Sequence, residues 1–147
     1  MQRPGLFRTW RMAWAFLLVG LVTSVSQFLS GRVLFGIFEL VAFAAVAAVL
    51  SPVVFPRSTP AAEAERLAAV DGRPIIYWRP GCSYCLRLRR KLGRRARTAY
   101  WVNVWADADG LAGLRELTDG YETVPTVVVG EEHRVNPDPR WVREQVG

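Results

Sequence analysis

Cysteine, histidine and lysine are nearly absent from this chain of 147 residues, which holds two Cys, one His and one Lys. Two cysteines cannot build the disulfide framework that holds small secreted domains together. A cysteine pair supplies only half of a structural zinc site, and with His133 the only histidine a complete four-ligand site within one chain is disfavoured. An iron-sulfur cluster shared between two chains stays open. Lysine gives way to arginine throughout, a skew that reads as genome composition, and the balance leaves a net charge of +6. No base-reading motif accompanies that charge, so anionic lipid fits better than nucleic acid as the basic partner. Internal repeats and low-complexity segments are absent too.

Charge itself is missing from the first third. No residue from Met12 to Gly31 is charged, and 20 residues rising 1.5 Å each cover a hydrocarbon core of roughly 30 Å. Residues 33–55 form a second apolar run, interrupted by Glu39 and closed by Pro56. The spacing predicts two spanning helices, about 12–30 and 33–55, joined by a turn at Ser30-Gly31-Arg32. The hairpin returns both ends to one side. Arg3, Arg8 and Arg11 precede it, Arg57, Arg66 and Arg73 follow it, and Arg32 stands alone in the turn. This bias predicts a two-pass membrane protein with both termini and the soluble part in the cytoplasm. A signal peptide is the competing reading, but the stretch exceeds the 7–15 residue core of such signals and a second apolar run follows at once. Glu39, about two turns into the second helix, is expected to be protonated or partnered. Ser24 and Gln27 reach about that depth, so interhelical hydrogen bonding is the plain account beside a proton or quinone role.

Thr59-Pro60-Ala61-Ala62-Glu63 offers an N-cap, a first-turn proline and an acid, predicting a short helix over 61–70 ended by Asp71-Gly72. Within a linker at 57–72 it is expected to act as a semi-rigid spacer. From Arg73 short strands and helices alternate: strand 74–78, helix 83–95, strand 100–105, helix 111–118 capped by Asp107 and Asp109, strand 126–129, a turn at Gly130-Glu131, strand 133–135 and helix 137–146. The order β-α-β-α-β-β-α predicts an α/β fold with a mixed four-stranded sheet. The chain therefore divides into an anchor at 1–56, a linker at 57–72 and a soluble domain at 73–147.

Arg79-Pro80-Gly81-Cys82-Ser83-Tyr84-Cys85 puts Cys82 where a strand gives way to a helix. Unpaired amide N–H groups and the helix dipole stabilise a thiolate there, and Arg79 adds positive charge, so Cys82 is expected below the usual thiol pKa of about 8.5. Cys85, one turn on along the stripe with Leu88 and Leu92, is the expected resolving thiol. The chemistry these two residues imply is thiol-disulfide exchange, with no metal or bound cofactor. His133, beside Glu131 and Glu132, reads as a solvated turn residue rather than a base. The arginines of helix 83–95 read as wetted surface, with headgroup contact a lesser alternative.

The Cys-Ser-Tyr-Cys motif after a strand, followed about 40 residues later by Thr123-Val124-Pro125, resembles glutaredoxins and in particular their mycoredoxin branch. Leu86-Arg87-Leu88, the stretch from Trp105 to Asp109, and Asn136-Pro137 extend the resemblance over residues 74–146, about half the chain. It implies a thioredoxin-like fold of glutaredoxin type and a cis bond before Pro125. It further implies that the backbone of Thr123 and Val124 lies alongside the attacking sulfur and pairs with the bound thiol, and that Tyr84 lines the thiol groove. Ser83 departs from the more familiar Pro or Gly, a change that alters redox poise and nucleophile pKa. The anchor falls outside the small soluble members.

The expected function is reduction of mixed disulfides on proteins at the cytoplasmic face of the bilayer, with mycothiol or another low-molecular-weight thiol as co-substrate. An outward-facing disulfide oxidase or isomerase, and a non-enzymatic iron-sulfur carrier or redox-sensing membrane subunit, stand as alternatives.

Overall fold

A computed structural model describes residues 5–147; Arg3 of the basic N-terminal stretch lies outside them. Two long apolar helices come first, α1 (Gly5–Leu29) and α2 (Val33–Leu50). Trp10–Leu29 and Val33–Leu50 are long and apolar enough to cross a membrane. Gly31, at φ +74°, makes the tight turn between them. Close approach is set by small residues: a Cβ at Gly20 would meet Phe43 Cβ at 2.4 Å, and one at Gly36 would meet the Phe28 ring at 2.5 Å. Around this seam Ala13, Ser24 and Ala47 are buried, while large apolar side chains such as Leu18, Val22, Leu34 and Phe38 face outward. No hydrogen bond joins Glu39 to Ser24 or Gln27; Ser24 Oγ is buried without a partner. The interhelical bond expected there is not made, because glycine contacts and ring packing occupy the seam.

The second apolar run does not stay helical to Phe55. α2 stops at Leu50, a 3-10 turn follows at Pro52–Val54, and Phe55 leaves the helical hairpin altogether. Its ring stacks on Trp78 with centroids 3.8 Å apart and lies 5.6 Å from that of Trp101. Pro52 has no N–H to continue the helix and disfavours helical backbone at Ser51, so the helix ends there and Phe55 is free to enter the core.

Helix α3 (Ala61–Asp71) also departs from expectation. Rather than acting as a spacer it packs onto the sheet, with Ala61 and Ala64 buried in the core. Two alanines at helical spacing let it lie close, and that small-residue face was legible as a surface to bury. Its N-cap position is Pro60, which offers no side-chain cap. The Ala61 N–H instead donates to Asp107 Oδ2 at 2.6 Å across the fold.

Four strands follow: β1 (Ile75–Trp78), β2 (Tyr100–Asn103), β3 (Thr126–Val129) and β4 (Glu132–Val135), in the sheet order β2-β1-β3-β4. β1 runs parallel to β2, with Ile76 opposite Trp101, and antiparallel to β3, with Ile76 opposite Val127. β3 and β4 form a hairpin. Every residue of β1 and β2 is buried, as in strands covered on both faces. Successive β2 residues show the two layers. Trp101 meets Phe55 and donates from Nε1 to Ala96 O at 2.7 Å. Val102 turns the other way, toward Gly110 of α5 (Ala108–Leu117). α3 and α5 thus share one face. α4 (Ser83–Leu92), the 3-10 segment Gly93–Thr98 and α6 (Pro139–Gln145) cover the other. Ser58 bridges Trp101 in parallel and closes the free edge of β2. The architecture is the mixed four-stranded α/β fold expected, preceded by the helical hairpin.

Candidate functional site: a cysteine pair at a helix start

The chain leaves β1 at Trp78, turns through Arg79-Pro80-Gly81 and enters α4 at Ser83. Gly81, at φ +75°, allows the reversal that sets Cys82 in the N-cap position of α4. Small polar side chains usually cap helices through oxygen; here the cap is sulfur. The Cys85 N–H donates to Cys82 Sγ at 3.3 Å. Cys82 is half-buried and Cys85 fully buried, on a stripe with Leu88 and Leu92, and both are free thiols.

This placement separates the two thiols chemically. Cys82 is held down to about 6, chiefly because the Cys85 thiol donates a hydrogen bond to it. Burial acts against that effect, while the N–H groups of Cys85 and Tyr84 and the charge of Arg79 support it. Cys85 is pushed far up, because its proton is held against Cys82 sulfur and because it is buried. The helix amides and Arg79 were legible in the sequence; the dominant donor, the partner thiol itself, follows from the two sulfurs sharing one helical turn.

Across from the cysteines, the Val124–Pro125 bond is cis. Val124 O lies 3.5 Å from Cys82 Sγ, within reach of the thiol proton when Cys82 is protonated. Val124 and Pro125 are buried, Thr123 is exposed, and Thr123 O accepts from Thr126 Oγ1 at 2.8 Å. The loop is tied down further where the Asn136 N–H donates to Pro125 O at 2.7 Å. Tyr84 is 56 % exposed and borders a cleft of about 180 Å³ with Arg87, Asn136 and Asp138. Cys82, Cys85 and Val124 therefore meet, while Tyr84 lines the cleft formed with Asn136 and Asp138. Asn136 adopts φ +45°, so this cleft depends on a turn conformation that Asn tolerates and most residues resist. The sequence showed Asn136-Pro137 as a helix opening; α6 in fact starts at Pro139, capped by Asp138 through the Arg140 N–H at 2.7 Å, and residues 136 and 137 belong to the cleft.

Arg79 places its guanidinium 5.9 Å from the centroid of the Trp105 ring, which holds a positive charge near Cys82. His133 is exposed on β4. Among the described residues no group of three or more His, Cys, Asp or Glu side chains is gathered closely enough to hold a metal ion.

Residues 75–134 match the family model for Glutaredoxin. No curated protein and no solved structure matches the chain. The matched stretch contains both cysteines, the cis-proline loop and all four strands up to Arg134. With the four-stranded sheet it makes this part of the chain a glutaredoxin domain, and that family supports a thiol-disulfide oxidoreductase.

Proposed function

We propose that this chain reduces mixed disulfides at a membrane surface, with Cys82 as nucleophile, Cys85 as resolving thiol and mycothiol as the electron donor. The observation that carries the reading is the thiol pair itself: one sulfur held down to about 6 and half-buried, the other held protonated beneath it. At neutral pH the Cys82 thiolate attacks one sulfur of a mixed disulfide. A new S–S bond forms at Cys82, and the other half leaves as a thiolate that takes a proton from solvent. With its charge consumed, Cys82 no longer accepts the Cys85 proton. The strongest cause of the raised Cys85 pKa is thereby removed, so Cys85 can ionise and attack Cys82. The second half of the substrate leaves, and the Cys82–Cys85 disulfide returns to two thiols with two electrons from small thiol molecules. Alternatively a second small thiol resolves the intermediate directly.

Val124 offers backbone beside Cys82, and Thr123 and Tyr84, next in sequence to this backbone and to the cysteine turn, are exposed, which supports their roles in seating the thiol moiety. Mycothiol is named from the likeness of the Cys-Ser-Tyr-Cys and Thr-Val-Pro motifs to mycoredoxins. The membrane reading rests on two adjoining helices of spanning length whose large apolar side chains face outward. A further observation supports chemistry near the end of the hairpin. Leu50, the last residue of α2, lies 3.6 Å from where a Gly81 Cβ would stand. The cysteine turn thus stands beside the end of the hairpin, which supports mixed disulfides close to the bilayer as the favoured substrates, on the side that the arginine bias makes cytoplasmic.

The test is a mixed-disulfide reduction assay on the full-length chain in detergent, with mycothiol and glutathione as alternative donors. Activity is expected with mycothiol preferred, lost in Cys82→Ser and reduced less in Cys85→Ser. Full activity in Cys82→Ser rejects the mechanism, and preference for glutathione rejects the donor.

A further inference from the structure

A second cleft, of about 540 Å³, lies apart from the thiol site, where the segment after α2 crosses the sheet. That volume is within the range of ordinary ligand sites, roughly 300–1,000 Å³. It is lined by Arg57, Arg73, Arg89 and Arg97 and by the apolar stretch from Val53 to Pro56. Four guanidinium groups in one cleft repel each other unless an anion joins them. Only Arg73 has one, at 2.8 Å from Asp71. Among the described residues Arg57, Arg89 and Arg97 form no ion pair. Arg89 donates from Nη1 to Gly93 O at 3.3 Å, but its Nε is buried with no hydrogen-bond partner. Val53, at the lip, is 74 % exposed.

We infer that this cleft binds the phosphate headgroup of an anionic phospholipid. Guanidinium groups pair with phosphate through paired N–H donors and shed water more readily than ammonium groups, which suits a site at the edge of a bilayer. The position selects lipid over a free ion. Leu50 ends the apolar helix, and Val53 to Pro56 of the lining follow within the next six positions, so on the membrane reading an exposed valine and a basic cleft stand where headgroups begin. The inference rests on the membrane reading of the hairpin and leaves the thiol chemistry untouched, since no cleft residue belongs to the cysteine site.

The full-length chain in neutral detergent is titrated with phosphatidylglycerol, phosphatidylcholine and inorganic phosphate while its melting temperature is followed. Phosphatidylglycerol is expected to raise the melting temperature, and the other two are not. The double variant Arg57→Gln/Arg97→Gln is expected to bind phosphatidylglycerol about tenfold more weakly, with Arg94→Gln/Arg95→Gln, an equal charge loss outside the cleft, near wild type. Each single variant at Arg57 or Arg97, expected to lose about threefold, carries the test if the double variant does not fold. An equal rise with inorganic phosphate, an equal loss in the outlying variant, or no effect of phosphatidylglycerol overturns the site. Release of the wild-type chain from membranes by alkaline carbonate overturns the hairpin reading and the site with it. Retention without lipid selectivity sinks the site alone.

Discussion

A thiol in water is half ionised near pH 8.5, and the environment of Cys82 supplies an S–H donor, two N–H donors and one arginine charge to move it down. Burial opposes them, so the outcome depends on the strongest donor being present. Removing it in Cys85→Ala is expected to raise the pH midpoint of Cys82 alkylation by about one pH unit, since a hydrogen bond to a charged group contributes about 1.5–3 kcal/mol before screening at a half-exposed sulfur. Cys85→Ser, whose hydroxyl still donates, is expected to stay nearer the wild type. Alkylation rates followed by mass spectrometry check both. The same linkage has a sign for stability. A folded pKa below the unfolded one stabilises the fold fully above the unfolded value, and that support fades as pH falls toward about 6. At this scale the sequence was informative: Cys82 after a strand and Arg79 nearby could be named from residue type and spacing, and the Thr-Val-Pro loop from the resemblance to glutaredoxins. Ser24 was not. Its hydroxyl was assigned a partner by depth alone, and depth does not fix which way a side chain on a helical seam points.

At the scale of elements, helices and strands were readable because their apolar periods are strong, whereas their ends were set by groups distant in sequence. Asp107 shows the reason. One carboxylate oxygen accepts from the N–H groups of Asp109 and Gly110, both at 3.1 Å, and caps α5; the other accepts from Ala61 and caps α3. The local cap was legible from Asp107 preceding a helix, but the second lies 46 positions away in the chain. Asp107→Ala is expected to destabilise the protein by about 2 kcal/mol, twice an ordinary cap loss, measured by chemical unfolding of the full-length chain. A cost no larger than that of a single cap, about 1 kcal/mol, means that the contact with α3 contributes nothing. Gly110 gives a companion test. A Cβ there would come within 2.6 Å of Val102 Cγ1, so Gly110→Ala is expected to cost about 1–2 kcal/mol despite its better helix propensity.

For the whole molecule, the junction matters more than a tether would. Phe55 stacks on Trp78, Leu50 lies beside the cysteine turn, and α3 supplies two core alanines. Phe55→Ala is expected to cost about 3–4 kcal/mol and to make residues 51–60 sensitive to protease. For the same reason a fragment starting at Arg73 is expected to aggregate, since it uncovers Trp78, Trp101 and the face that α3 covers, whereas one starting at Ser51 is expected to stay soluble. Comparing the two by size-exclusion chromatography decides this. Charge separates the apolar hairpin from the sheet-forming part in the sequence, but an apolar run ending in Phe55 looks the same whether it finishes a helix or enters a core. The account as a whole depends on Cys82 being an ionised nucleophile at neutral pH, and the rate at which the full-length chain forms a mixed disulfide, followed against pH, tests that directly. The rate is expected to rise through a midpoint near 6 and then level off, and to vanish in Cys82→Ser. A rate still climbing beyond pH 8 with no earlier plateau, as for an ordinary thiol with a pKa of about 8.5, contradicts it.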